Sequence, residues 1–234
     1  MKRTLAAFLL LSLASGCSLK HEPRVVAMSP APAAPVAAST PQSWTTPAPT
    51  PQSDDFLIIP GKSIGEIGRD STYESLVKTY GEANVIKTKM YVGEGLEKEG
   101  VTVFPDDKTT MVEILWWDED PARVQMIRIQ GENSKWHTHQ GVTLGTTVQE
   151  LEKLNEKPFK LLGLGWDYGG SVTNWNGGAL EGLHARVQAG ADSNVGEDAF
   201  AEVMGDKEIE SSNSVLQQIN PTVFEIAVQF PLSE

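Results

Sequence analysis

Cys17 is the only cysteine in a chain of 234 residues. A fold built from this chain contains no internal disulfide, no thiolate metal cluster and no cysteine nucleophile beyond that one position. Its stability must come from an ordinary apolar core, which needs a long stretch of sequence with regular hydrophobic periodicity. The position of Cys17 says as much as its solitude. It follows Lys2 and Arg3, an apolar run from Leu5 to Leu13, and the small residues Ala14, Ser15 and Gly16.

That order, positive then apolar then small, is the order of a secretory signal. The apolar run is about nine residues long, far short of the ~20 needed to span a bilayer. Leu13-Ala14-Ser15-Gly16-Cys17 resembles the lipobox of bacterial lipoproteins, in which the thiol is acylated and the cysteine becomes the mature N-terminus. The departure is that Ala14 stands three places before the cysteine, where Leu is usual, and Leu13 lies one place further back. The resemblance implies a signal peptide over residues 1–16 and lipidation of Cys17, with the membrane as a partner through the lipid anchor. Ser18 in place of Asp implies the outer membrane, by the usual bacterial sorting pattern, with the protein facing the periplasm. The competing reading is a plain signal peptide with an incidental cysteine; a lone thiol with no disulfide partner weighs against it.

Residues 17–53 change composition. Pro30, Pro32, Pro35, Pro41, Pro47, Pro49 and Pro51 alternate with Ala, Ser and Thr, with no apolar periodicity. Such a stretch buries too little to offset its ordering entropy, so it reads as an extended tether. Trp44 within it is an isolated apolar residue.

The remaining part, about 180 residues, is long enough to bury roughly 70% of its unfolded surface. A gapless internal repeat divides it into units at 54–134 and 135–234. Ile67 aligns with Val142, Ser71-Thr72 with Thr146-Thr147, and Leu76 with Leu151. In each copy a hydroxyl residue precedes Glu or Gln by three places: Ser71 with Glu74, Thr146 with Gln149. That spacing predicts a capping box at a helix start. Tyr73, Leu76, Val77 and Tyr80 then form one apolar stripe, with Gly81 as a stop; Pro158 ends the second copy. Strand signals follow at 85–92, 101–104, 110–117 and 123–130, and again at 159–166, 171–175 and 180–188, with helical character around 197–204. In the last strand Phe224, Ile226, Val228 and Phe230 alternate with Glu225 and Gln229. The expected fold is α+β: two related units, each a short helix followed by an antiparallel β-meander, with the helices on one face of the sheet.

The pattern of hydroxyl, apolar at +4, apolar or aromatic at +8, Gly at +9 and Pro at +11 resembles small outer-membrane assembly lipoproteins of the SmpA/BamE type, and the tandem units of β-lactamase-inhibitor-like proteins. Thr72, Leu76, Tyr80 and Gly81 match in the first copy, where Ala83 replaces the Pro. Thr147, Leu151 and Pro158 match in the second, where Asn155 and Glu156 replace the apolar residue and the Gly. The resemblance implies helix-then-sheet units that bind proteins and catalyse nothing.

Nineteen basic residues against 31 acidic ones leave a formal charge of −12, which argues against nucleic acid as a partner. Gly61-Lys62-Ser63 lacks the upstream Gly of a phosphate loop. His137 and His139 would share a face if extended, but no third ligand is singled out, and a polar linker explains them equally. Asp192–Asp198 and Asp118–Asp120 are acidic turns without calcium-loop spacing. Ser171 lacks a nucleophile elbow. No cofactor is called for. Of the tryptophans, Trp116 and Trp117 point to opposite faces of one strand. Trp166 and Trp175, flanking the turn Asp167–Gly170, are the expected partner-binding residues. The sequence reads as a non-enzymatic, periplasm-facing envelope lipoprotein that binds or assembles an envelope protein. The alternative is a module that binds or hydrolyses cell-wall glycan through Trp and carboxylate residues.

Cys17→Ser removes the only acceptor thiol. Membrane fractionation is expected to find the variant soluble or unprocessed; tight membrane retention would count against a lipid anchor.

Overall fold

The structure, a computed structural model, describes residues 56–190 and 195–232. The signal segment, Cys17, Trp44 and the Pro-rich stretch lie outside the described residues, as do residues 191–194, which include the start of the Asp192–Asp198 turn.

The chain enters through three short strands, β1 (Leu57–Ile59), β2 (Ser63–Ile64) and β3 (Ile67–Gly68), and then helix α1 (Tyr73–Tyr80). A single 3-10 turn, Glu82–Asn84, leads into an antiparallel meander: β4 (Val85–Gly93), β5 (Leu96–Val103), β6 (Val112–Trp116) and β7 (Val124–Gln130). Strand β8 (His137–Thr138) then pairs in parallel with β1. Helix α2 (Val148–Asn155) is followed by β9 (Lys160–Leu162), β10 (Val172–Asn174), β11 (His184–Gln188), α3 (Glu197–Ala201), β12 (Glu208–Glu210), α4 (Ser214–Ile219) and β13 (Thr222–Gln229). The fold is α+β, as expected.

The large sheet runs β11-β13-β7-β6-β5-β4, all antiparallel, and its neighbouring strands β13 and β7 come from opposite halves of the chain. A smaller sheet, β10-β9-β12, abuts its end. The two meet through a bridge between Ser171 and Arg186 and through the Val187 N–H, which donates to Gly170 O at 3.0 Å. Gly170 has φ 75°, and a Cβ there would collide with the Val187 carbonyl. Only glycine fits where the two backbones come this close.

The repeat holds at the level of individual hydrogen bonds, with one correction. Ser71 and Thr146 do not cap the helices. Their hydroxyls accept from the N–H groups of Gly68 and Thr143, both at 3.0 Å, closing the turn before each helix. The next residue in each copy takes the cap. Thr72 accepts from Ser75 N–H and Thr147 from Glu150 N–H, and the Ser75 and Glu150 side chains reciprocate. The capping boxes are therefore Thr72/Ser75 and Thr147/Glu150, one residue later than the sequence spacing suggested, because the first hydroxyl is already committed to the turn. The helix ends also correspond. Gly81 has φ 86° and Glu156 φ 64°, so a glutamate takes the positive φ that glycine takes in the first copy.

Asn155 stands where the first copy has Tyr80. It is fully buried, yet its amide donates to Lys157 O and Trp175 O, and its carbonyl accepts from Leu180 N–H. A buried amide satisfied on three sides carries little of the penalty of burying a polar group. It stitches the end of α2 to the loop before β11.

After the helices the two halves differ. The first half continues as one meander. In the second, β9 and β10 leave the large sheet while β11 and β13 join it, with α3, β12 and α4 inserted between them. Each helix entrance is pinned by the last strand of its own half: Val124 N–H donates to Arg69 O, and Val223 N–H to Thr146 O, both at 2.8 Å.

The core fills the space between α1, α2, the small β1–β3/β8 layer and one face of the large sheet. Ile58, Ile64, Val103, Val112, Ile114, Ile127, Leu151, Phe159, Ile226 and Val228 are wholly buried, and Leu76 is 2% exposed. Leu76 and Leu151 occupy equivalent buried helix positions, as the alignment predicted. Leu76→Ala and Leu151→Ala are each expected to lower stability by about 2–5 kcal/mol in denaturant titration. A neutral result for either would contradict the packing described.

Candidate functional site

A strand inside a half-buried sheet alternates its side chains between the core and the opposite face. On β6, β7, β11 and β13 the residue facing away from the helices is charged: Glu113, Arg128, Arg186 and Glu225. Glu113 lies directly across from Arg128, and Arg186 across from Glu225. Arg128 Nε sits 2.6 Å from Glu113 Oε2, which also accepts from Gln130 Nε2 at 2.9 Å. Glu225 Oε2 lies 3.8 Å from Arg128 and 3.6 Å from Arg186. The result is a charge-neutral ladder of two Arg and two Glu across four adjacent strands. Arg128 is 7% exposed and Glu225 9%.

Buried ion pairs of this kind seldom add stability over apolar side chains of the same size, because desolvation offsets their attraction. Their arrangement is nonetheless exact enough to be costly to disrupt. The Arg186 guanidinium is fixed from two further directions. One terminal nitrogen donates to Asp167 O at 2.6 Å, and the group lies 4.9 Å from the centroid of the Phe224 ring. Its Nε is buried with no hydrogen-bond partner among the described residues.

Phe224 reaches this face through a bulge. Between the pairs Arg186–Glu225 and Val187–Val223 the register shifts, leaving Phe224 as the extra residue on β13. Phe224 and Glu225 both line the cavity on this side, while Val223, Ile226 and Val228 are fully buried. The strict alternation expected for the last strand, with Phe224 beside Ile226, is corrected here: the bulge moves the ring to the face that carries the charges.

The loop from Trp166 to Ser171, between β9 and β10, arches to the far edge of the sheet. Glu94 N–H, in the β4–β5 turn, donates to Asp167 Oδ2 at 2.7 Å, and Tyr168 OH donates to Glu94 Oε1 at 3.2 Å. The ladder thus floors a cavity of about 510 Å³ walled by this loop and by β4. Trp166 meets Tyr168 edge-to-face at 5.4 Å, and Tyr91 and Tyr168 are 49% and 39% exposed at the rim. Partial desolvation, then the hydrogen bond to Glu94, raises the Tyr168 phenol above its ordinary pKa, so it remains a donor. A second cavity of about 570 Å³ adjoins the first through Val92, Met126 and Gln229, and is more apolar, lined by Leu115, Trp117 and Phe230. The open face therefore offers paired charges and an aromatic rim at one end and an apolar recess at the other.

Of the expected partner-binding residues, Trp166 lies at this rim, half-buried, with its indole N–H donating to Gly163 O at 2.9 Å. Trp175 does not. It is 3% exposed, packed 4.8 Å from Phe159, and its indole N–H donates to Leu183 O at 2.7 Å. The turn between the two tryptophans sends one ring to the surface and the other into the core, so Trp175 is no surface contact. Trp116 and Trp117 bond in opposite directions, to Ser71 O and Phe230 O. His137 is buried and His139 exposed, so they present no shared face. Asp118 pairs with Lys98 at 2.8 Å and Asp120 with Arg123 at 3.5 Å. Among the described residues no group of three or more His, Cys, Asp or Glu side chains is gathered as a metal site. Cys17 lies outside the described residues.

Sequence reasoning missed the ladder, although its signal was present. Val112-Glu113-Ile114, Ile127-Arg128-Ile129, Ala185-Arg186-Val187 and Glu225-Ile226 each set one charge inside an apolar strand. Arg128→Ala removes the guanidinium shared by the half-buried Glu113 and the buried Glu225 and is expected to cost about 3–5 kcal/mol in denaturant titration. Arg186→Ala, at a more exposed end of the ladder, is expected to cost less; the reverse order would contradict the geometry.

No protein-family model, curated protein or solved structure matches this chain.

Proposed function

We propose that this chain is a lipid-anchored, non-enzymatic binding module of the bacterial envelope. In this reading Cys17 carries the lipid at the outer membrane, residues 17–53 tether the folded part on the periplasmic side, and the open sheet face captures an envelope protein. The observation that carries it is the pairing of a largely buried, charge-neutral Arg/Glu ladder with an exposed aromatic rim on a sheet face that no helix among the described residues covers. Exposed Tyr and half-buried Trp are the side chains that anchor interfaces, and fixed charges select partners by register more than by raw affinity. A tethered module gains from high local concentration, so a modest interface suffices.

The two helix-led segments are read as related tandem units of the kind the SmpA/BamE-like and β-lactamase-inhibitor-like resemblance implies. The support is the matched pair of turns, capping boxes and helix stops. The rival function, binding or hydrolysis of cell-wall glycan, draws on the same rim, because Trp166, Tyr168 and Tyr91 offer ring faces beside hydrogen-bonding groups.

The test compares the lipidated protein with its Trp166→Ala/Tyr168→Ala variant. Crosslinked capture from envelope membranes is expected to fall several-fold for the variant while its melting temperature stays within a few degrees. Unchanged capture by a folded variant rejects this surface. Co-sedimentation with purified cell-wall polymer, lost in the same variant, would favour the glycan reading, and specific hydrolysis of that polymer would overturn the non-enzymatic one.

A further inference from the structure

A second recess lies away from the sheet's open face and shares no lining residue with either cavity there. We infer that the pocket bounded by Phe56, Tyr80, Phe104, Trp136 and Glu66 binds an alkylated ammonium cation.

Four aromatic side chains and one carboxylate, from five separate segments, enclose about 440 Å³. The rings form two edge-to-face pairs. Phe56 and Trp136 have centroids 5.2 Å apart at 77°, and Tyr80 and Phe104 are 5.2 Å apart at 74°. The face of an aromatic ring is its electron-rich side, and several such faces around one space attract a diffuse, weakly hydrated cation. One intramolecular cation already uses this cluster: Lys135 Nζ lies 5.7 Å from the centroid of Phe56.

The backbone is bent to build this pocket. Gly65, at the tip of the β2–β3 turn with φ 56°, lies over the Trp136 ring; a Cβ there would sit 2.9 Å from Trp136 Cη2. The indole is held in place by its N–H, which donates to Thr110 O at 2.9 Å. Phe104 is more unusual. Its φ of 57° is a left-handed conformation that bulky residues avoid, and it positions the ring against Tyr80. Strain of this kind gathers at ligand sites, where surrounding structure enforces it. It is held here by Phe104 N–H donating to Asn84 O at 2.8 Å, and by Phe104 O accepting from Asp107 N–H.

Glu66 supplies the charge. It is exposed at the mouth of the pocket and makes no hydrogen bond or ion pair among the described residues. Its carboxylate is close enough to Tyr80 to add to the effect of burial, and together they raise the phenol's pKa and keep it neutral. A metal ion would need several oxygen ligands, and the pocket offers one carboxylate. A primary ammonium would need three acceptors. An alkylated ammonium needs none, only aromatic surface and one nearby negative charge, and the pocket lining brings four aromatic side chains and Glu66 together.

The test is calorimetric titration of the purified chain with choline and with its neutral isostere, 3,3-dimethylbutan-1-ol. Choline is expected to bind saturably, and the alcohol about tenfold more weakly, the range a ring-face cation interaction spans. Glu66→Gln changes an exposed residue that makes no side-chain hydrogen bond or ion pair among the described residues, so the fold survives, and choline affinity is expected to drop about threefold or more. Phe104→Leu is expected to weaken choline further than it weakens the alcohol. Equal affinity for the alcohol, choline binding unchanged in Glu66→Gln, or no saturable choline binding would overturn the assignment. Vesicles then separate the sources. Retention on phosphatidylcholine but not phosphatidylglycerol vesicles, lost in Glu66→Gln, places the cation on a lipid headgroup. Binding of free choline without vesicle retention places it on a soluble ligand. Both results keep the assignment.

Discussion

The pairing of β13 with β7 holds the two halves of this protein in one sheet. It joins residues nearly a hundred positions apart in sequence, and two further long-range contacts are built on it. With β13 in place, its outer edge accepts β11, and β11 in turn meets the loop at Gly170. The same strand pins the entrance of α2 through Val223, just as β7 pins the entrance of α1 through Val124. A contact of such long range is entropically expensive to close. It is offset by the alternation of Ile226 and Val228 against Ile127 and Ile129, all essentially without solvent exposure.

That sheet has two faces with opposite tasks. One is a conventional apolar core under two short helices. The other carries Glu113, Arg128, Glu225 and Arg186 in contact, where apolar residues would have been cheaper to bury. The bulge at Phe224 adds a ring to the charged side, between the buried Val223 before it and the buried Ile226 two residues after it. An interior-like cluster of charges, walled by a loop with Trp166 and Tyr168, is the arrangement on which the proposed binding role rests.

Much of the chain's organisation was legible because it rests on local rules. The Pro-rich composition of residues 17–53 and the α+β class of the described residues are matters of composition and period. The repeat was legible because turn, cap and helix stop are each set within a few residues, and the structure reproduces them in both copies. The one-residue error in the caps arose because two neighbouring hydroxyls were available, and the tertiary turn decided that Ser71 and Thr146 close the loop while Thr72 and Thr147 cap the helix. Trp175 went wrong for a similar reason. A glycine-rich turn separates it from Trp166, and no local pattern says which side of such a turn faces the core.

The sequence by itself determined the α+β class, the apolar positions of most strands, and the places of helices α1 and α2 to within a few residues. These depend on side-chain period and on hydrogen bonds between near neighbours. Only the tertiary structure decided which strands are adjacent, and so which lone charges meet. Glu113, Arg128, Arg186 and Glu225 are scattered over more than half of the folded sequence, each a lone charge in an apolar strand. They form a site because cross-strand register places their side chains within a few ångströms, and register between distant strands is settled by the packing of the whole sheet.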